Sequence, residues 1–191
     1  MVISRNNMSL KDKRAKGILV LDSTPIYSGI LQSGMYDECF TTEEILREIA
    51  HIRALQETVR TRLDSGILKV GSASSDSTRR INELVRKLGE GKLSNADLSI
   101  LALSLDLKEN GFEPTLVSDD FSIQNLAKSL SISYLSYTTK GIKRGIVWVL
   151  YCPACGRTVD RVNSKECEIC GSALKRRPKN RVSSDYFSEK L

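Results

Sequence analysis

The stretch Ile18-Leu19-Val20-Leu21-Asp22-Ser23-Thr24-Pro25 decides how this chain is read. Four apolar residues without alternation suit a strand covered on both faces, as in a parallel sheet. Asp22 closes the run, and Ser23, Thr24 and Pro25 look like a helix start with proline near the first turn. A carboxylate between strand and helix lies at the strand's carboxyl end, where functional groups gather in open parallel sheets.

The pattern repeats outward from there. Phe40 and Thr41 read as a short second strand, and Thr42 as the cap of a helix running to Ile52. Residues 55–64 are expected to be helical, 67–70 a third strand and 78–88 a helix with Ile81, Leu84, Val85 and Leu88 on one face. Ser94 opens a helix that is apolar nearly all round (Leu98, Ile100, Leu101, Leu103, Leu105, Leu107), hence central, and Asn110–Gly111 ends it. Residues 115–117 read as a fourth strand, Ser122 as the cap of a helix to Leu130, and 132–137 as a fifth strand. Alternating strands and helices predict an α/β fold with a parallel sheet.

Acidic residues fall where such a sheet would collect them. Asp22 ends the first strand, and Asp119 and Asp120 follow the fourth. Asp97 lies in the first turn of the central helix. With Ile45 at 0° and about 100° per residue, Ile49 and Ile52 mark a core stripe and Glu48 falls beside it, closer than Glu43 or Glu44. Carboxylates crowded on one edge repel one another, which a hard divalent cation, Mg²⁺ or Mn²⁺, relieves through oxygen ligands. Structural roles compete: Ser94-x-x-Asp97 matches a capping box, and Asp119 or Asp120 suits a helix cap.

The carboxyl-terminal quarter differs in chemistry. Net charge over the chain is +6, from 29 Lys and Arg against 23 Asp and Glu. Residues 140–191 hold 12 basic and 5 acidic residues, so this segment alone carries +7. A compact basic segment attracts polyanions, nucleic acid first. Lys140, Lys143 and Arg144 lie on a linker. Arg157, Arg161 and Lys165, then Lys175, Arg176 and Arg177, with Lys179 and Arg181 behind, lie on and after a cysteine-bearing module. Cys152, Cys155, Cys167 and Cys170 form two Cys-x-x-Cys pairs, each followed by glycine (Gly156, Gly171). Two spaced pairs read as one four-thiolate zinc site, against disulfides or a redox pair. Cys39 is expected to be a buried apolar filler. Trp148 and Tyr151 either stack bases or pack the module's first strand, with packing the commoner use. His51, the one histidine, is expected to be an ordinary surface residue.

A composition of 40% hydrophobic and 27% charged residues supports a folded core and excludes wholesale disorder. No apolar run approaches the length of a membrane helix, and residues 1–16 read as a loose charged tail, so a cytoplasmic location without membrane partners is expected.

These residues resemble PIN-domain nucleases. LDSTPI around Asp22, TTEEILREI around Glu48, LSNADLSILALSLDL around Asp97 and LVSDDFSIQN around Asp119 and Asp120 are similar to that group's four acidic motifs, in order. SDDFSIQN, TKGIKRGIVWVLYCPACG and the closing CGSALKRR resemble more narrowly the archaeal Nob family, endonucleases that mature the 3′ end of small-subunit rRNA. The resemblance implies a three-layer PIN-like domain at 17–137, a basic linker at 138–147, a small β zinc ribbon at 148–178 and a basic tail at 179–191. It implies Mg²⁺- or Mn²⁺-dependent RNA hydrolysis on Asp22, Glu48, Asp97 and Asp120, with Asp119 as a neighbour, and one structural zinc. It also implies partnership with precursor rRNA and the pre-ribosomal small subunit. A catalytically silent assembly factor and a toxin-type RNase are the alternatives.

Overall fold

The computed structural model describes residues 17–33, 38–91, 93–138, 141, 145–159 and 164–179. Lys140, Lys143, Arg144, Arg161 and Arg181, and the tails 1–16 and 180–191, lie outside the described residues.

The first unit runs β1 (Gly17–Leu21), α1 (Ser23–Tyr27), β2 (Cys39–Thr42), α2 (Glu43–Ile49), α3 (Arg53–Asp64), β3 (Leu68–Gly71), α4 (Ser75–Leu88), α5 (Asn95–Glu109), β4 (Glu113–Val117), α6 (Phe121–Ser129) and β5 (Ser133–Leu135). The five strands form one parallel sheet in the order β3-β2-β1-β4-β5. The chain steps outward from β1 to β3, then crosses back to β4 and on to β5. Right-handed crossovers therefore lay α1–α3 on one face and α4–α6 on the other, completing three layers. The order reverses beside β1, which pairs with both β2 and β4.

The unbroken run that marked β1 has its expected cause: Ile18, Leu19, Val20 and Leu21 are all buried. Helix α5 is buried nearly all round, with Ile100, Leu101, Ala102 and Leu103 at 0 to 1% exposure, because it lies on β1, β2 and β4 and touches α2, α4 and α6. Each such Leu or Ile contributes about 1.5–3 kcal/mol relative to an exposed one. Cys39 is buried in the same core, as its apolar role requires.

Three local expectations need correction. The helix expected to reach Ile52 ends at Ile49, since Ile52 is extended (φ −93°, ψ 96°) and starts α3 instead. The cap of α6 is Asp120, not Ser122: its carboxylate accepts the N–H of Ser122 at 2.6 Å and of Ile123 at 3.3 Å. A carboxylate at a helix start is favoured over a hydroxyl by the helix dipole. Strand β5 is confined to Ser133–Leu135, the three residues that pair with Thr115–Val117 of β4.

The second unit is an antiparallel sheet in the order β7-β6-β8, where β6 is Trp148–Tyr151, β7 Thr158–Val159 and β8 Lys175–Pro178. It is tied to the first unit at β6. Val147 is buried in the main core. The Asn125 side chain of α6 makes both backbone hydrogen bonds of Ile146, accepting from its N–H at 2.7 Å and donating to its carbonyl at 2.7 Å. Gly89 caps α4 at φ +64°, and a Cβ there would lie 2.4 Å from the Trp148 carbonyl oxygen. Only glycine permits that conformation and that approach together.

Candidate functional site

The reversal beside β1 is where an open α/β sheet presents its crevice, and Asp22 stands there. Its N–H donates to the Val117 carbonyl at 3.1 Å, so the ends of β1 and β4 are joined. One carboxylate oxygen accepts the Ser23 N–H at 2.6 Å and the other the Ser118 hydroxyl at 2.6 Å. Asp22 is 4% exposed, and its pKa is raised above the ordinary 3.8, first by burial and then by the charges of Asp97 and Asp120, against the lowering hydrogen bonds.

Glu48 and Asp97 arrive through α2 and α5. Thr42 caps α2, and its hydroxyl meets that of Ser99 on α5 at 2.7 Å, which joins the start of α2 to the second turn of α5. The capping box at the start of α5 forms as the spacing predicts: Ser94 Oγ accepts the Asp97 N–H at 3.1 Å, and Asp97 accepts the Ser94 N–H at 2.7 Å. Asp97 is thus a capping residue and also faces the edge. The Ser94 hydroxyl reaches Glu48 at 3.4 Å. Burial and then the charges of Asp97 and Asp22 raise the pKa of Glu48. The wheel placed Glu48 beside a stripe of Ile45 and Ile49, both buried; Ile52 falls off α2 and is no part of it.

The doubled aspartate divides its work. Asp120 caps α6 through one oxygen and adds its charge to that felt by Asp22. Asp119 turns to the segment after β5, accepting the Ser136 and Thr138 hydroxyls at 2.6 and 2.7 Å and the Tyr137 and Thr138 N–H groups at 2.9 and 3.0 Å.

Asp97 and Asp120 raise Asp22, and Asp97 and Asp22 raise Glu48, each beyond the effect of burial, which marks accumulated negative charge. Among the described residues none of Asp22, Glu48, Asp97 and Asp120 forms an ion pair. Oxygen donors with uncompensated charge fit Mg²⁺ or Mn²⁺. The carboxylates do not close into a tight cage among the described residues, where the cysteines alone form such a group. That openness also fits Mg²⁺, which is commonly held by one or two carboxylates together with substrate phosphates.

The four cysteines do close. Their sulfurs all lie within 4.8 Å of one another, with Cys152–Cys170 at 3.4 Å and Cys155–Cys167 at 3.7 Å. A tetrahedron of about 2.3 Å metal–sulfur bonds has edges of about 3.8 Å. Gly156 and Gly171 take φ +73° and +68°, and their N–H groups return to the Cys152 and Cys167 carbonyls at 2.9 Å each. The N–H groups of Ile169 and Cys170 pull the Cys167 thiol down, and the Ser172 hydroxyl and N–H bring Cys170 to about 6. Cys167 and Cys170 are thus favoured as thiolates, the form that binds metal. At Cys155 the Arg157 N–H is outweighed by the neighbouring sulfurs of Cys152, Cys167 and Cys170, which push that thiol up to about 11. Four crowded sulfurs that resist ionising together are what a bound cation relieves.

The basic residues that fall in the described ribbon are exposed: Arg157, Lys165, Lys175, Arg176, Arg177 and Lys179. Arg176 stacks on Trp148 at 5.1 Å and Arg177 on Tyr151 at 4.9 Å, so both rings pack the ribbon. His51 is exposed beyond the end of α2. Sequence reasoning missed Asn125, Glu90 and Gly89, which dock the ribbon; a Gly-Glu-Gly after the α4 pattern was the only local signal.

A parallel sheet with acids gathered at its reversal, continuous with a four-cysteine ribbon, defines a PIN-type ribonuclease with an appended metal module. The family model for the PIN domain of ribonuclease matches residues 19–107. The Nob1 endoribonuclease of Archaeoglobus fulgidus is 36% identical over 164 residues, covering 84% of this chain and 92% of the relative. That of Methanocaldococcus jannaschii is 33% identical over 184 residues, covering 92% and 87%. The ribonuclease VapC1 of Thermoplasma acidophilum is 33% identical over 118 residues, 61% of this chain and 58% of the relative. The chain belongs to the Nob1 family of endoribonucleases. No described helix is long and apolar enough to cross a membrane.

Proposed function

We propose that this chain cuts precursor small-subunit rRNA at its 3′ end during ribosome maturation, acting in the cytoplasm on RNA held in the pre-ribosomal small subunit. The observation that carries this reading is the meeting of Asp22, Glu48, Asp97 and Asp120 at the sheet's reversal, in one chain with a basic cysteine ribbon. Residues 17–137 form the nuclease domain in this reading, 138–147 the linker and 148–178 the ribbon.

Asp22, Glu48, Asp97 and Asp120 would hold Mg²⁺ or Mn²⁺, and the four cysteines one structural zinc. When bound at the acids, the divalent cation eases ionisation of a water and offsets charge building on the phosphate and the departing 3′-oxygen. The chain's own groups do the rest. Ser118 and the Ser23 N–H fix the Asp22 carboxylate, and the capping box fixes Asp97. Cations of the linker and ribbon, Lys140, Lys143, Arg144, Arg157, Arg161, Lys175, Arg176 and Arg177, bind phosphates and set register. Hydrolysis leaves a 3′-hydroxyl and a 5′-phosphate.

The test is incubation of the purified chain with Mn²⁺ and a precursor RNA spanning the small-subunit 3′ end. A single cut that Asp97→Asn abolishes supports the reading. No cut, or an equal cut by Asp97→Asn, rejects it and leaves RNA binding as the function.

A further inference from the structure

Helix α6 is inside out in one respect. Of its nine residues, Ile123, Gln124, Asn125, Leu126, Ala127 and Ser129 are buried, three of them polar, while Phe121 is 56% exposed. Burying a phenylalanine ring is among the larger favourable contributions to folding. Here two amides and a hydroxyl go inside and the ring stays in water.

The ring also has a particular place. Phe121 is the first residue of α6, directly after Asp120, whose carboxylate caps the helix. Side chains on a helix lean back toward its N-terminus, so this ring overhangs the turn that carries Asp119 and Asp120. A lone exposed ring is ordinary, but apolar surface continues beside this one. Leu135 and Tyr137 are 50% and 36% exposed. Leu135 pairs with Val117 at the end of β4, and the Tyr137 N–H donates to Asp119, two positions before Phe121, at 2.9 Å. The rings of Trp148 and Tyr151 are covered by Arg176 and Arg177, whereas among the described residues no cation covers Phe121 or Tyr137.

The surroundings say what such a ring would meet. The acidic edge repels phosphates, and none of its four carboxylates is paired with a described Lys or Arg. A flat apolar ring holds a nucleotide by its base, through a contact that does not use the phosphate.

We propose that Phe121 is a stacking platform for one base of the RNA strand, next to the phosphodiester that lies over the acids; this rests on the nuclease reading above. Stacking on a ring accepts any base, so the platform sets the position of the strand and not its sequence. A protein partner could cover the same apolar surface, but it would be indifferent to bases.

The test pairs a change in the ring with removal of the bases. The zinc-loaded full chain, with Ca²⁺ supplied as a hard cation, is titrated with two end-labelled octamers: oligouridine, and the same ribose–phosphate chain without bases. Both carry equal charge, so phosphate contacts contribute alike. Fluorescence anisotropy reads affinity, and a gel confirms that the strands stay intact. In Phe121→Ala the base-bearing strand should bind about tenfold more weakly, the order of one base–aromatic stack, while the abasic strand binds as before. Phe121→Leu should match Phe121→Ala, and Phe121→Tyr should match the parent, because a base stacks on a flat ring and not on apolar bulk. Melting temperatures should hold, since the ring is already in water. Equal loss on both strands, or loss on neither, overturns the proposal. So does full binding by Phe121→Leu, which would mark a surface for protein. No cleavage is read in the titration. If the base-dependent loss is absent while the parent still cuts precursor RNA, the stacking platform falls alone. If that loss is present and the parent cuts nothing, the nuclease reading falls alone.

Discussion

The Ser118 hydroxyl donates to Asp22 at 2.6 Å across 96 positions of sequence, joining the ends of β4 and β1 at the point where strand order reverses. Ser118 Oγ also accepts the Asp120 N–H at 3.1 Å, so one side chain orients two members of the acidic set. Its hydrogen bond opposes the rise in the Asp22 pKa caused by burial. In Ser118→Ala that opposition is gone and Asp22 takes up its proton at a higher pH. The acid limb of cleavage should therefore move to higher pH, with about 1–3 kcal/mol lost in stability for the unmet buried groups. A pH–rate profile and a denaturant melt check this; an unmoved acid limb refutes it.

Asp22→Asn and Asp97→Asn should lower cleavage by at least ~100-fold, the order of losing one key electrostatic element. RNA binding should persist or tighten. Stability follows a separate sign. Asp22 has a raised folded pKa, so between the ordinary 3.8 and that raised value the folded state holds more protons, and stability falls as pH rises. Above it the charge penalty is fully present. Asp22→Asn should thus hold or raise the melting temperature at neutral pH and flatten its decline with pH.

Asp119→Asn and Asp120→Asn should separate. Asn keeps the cap at α6, so Asp120→Asn should preserve the fold while cleavage falls. Asp119→Asn breaks an acceptor set built for two anionic oxygens, so its first effect should be on melting temperature. Equal loss of cleavage in the two variants at unchanged stability would show that the pair acts as a unit.

Elemental analysis should find one zinc per chain, and Cys167→Ser should abolish it and unfold the ribbon, since small metal sites supply much of their module's stability. Iron would contradict the zinc assignment, and a Cys152–Cys155 disulfide would contradict the four-sulfur site itself.

Gly89→Ala should disturb the ribbon more than the nuclease domain. A positive φ costs an L-residue about 1–2 kcal/mol, and the new methyl meets the Trp148 carbonyl at 2.4 Å. Trp148 emission should shift and RNA affinity should drop with a flatter salt dependence, while Asp97-dependent cleavage of a short RNA should remain. Unchanged emission would show that β6 is not seated on Gly89.

Much of this was readable in advance because strand burial and helix capping are local. The apolar run before Asp22 announced β1, Ser94-x-x-Asp97 announced the start of α5, and matching glycines announced the two knuckles. What escaped was decided between distant elements. Ile52 gave no stop signal, since no Gly or Pro marks the break between α2 and α3. The sequence offered Asp119, Asp120 and Ser122 as caps of α6, and the choice of Asp120 depends on the segment after β5 that engages Asp119. Asn125 looks like any polar helix residue until Ile146, 21 positions on, is seen to pair with it.

That pairing has a consequence for how the two chemistries are spaced. Asp120 stands at the first turn of α6 and Asn125 stands on the same helix, about 7.5 Å further along its axis at about 1.5 Å per residue. The acidic edge and the grip on Ile146, just before β6, are thus mounted on one stiff rod. Helix α6 is a gauge: under the function proposed above, the place where the ribbon held an RNA would determine, by a fixed offset, which phosphodiester lay over the acids.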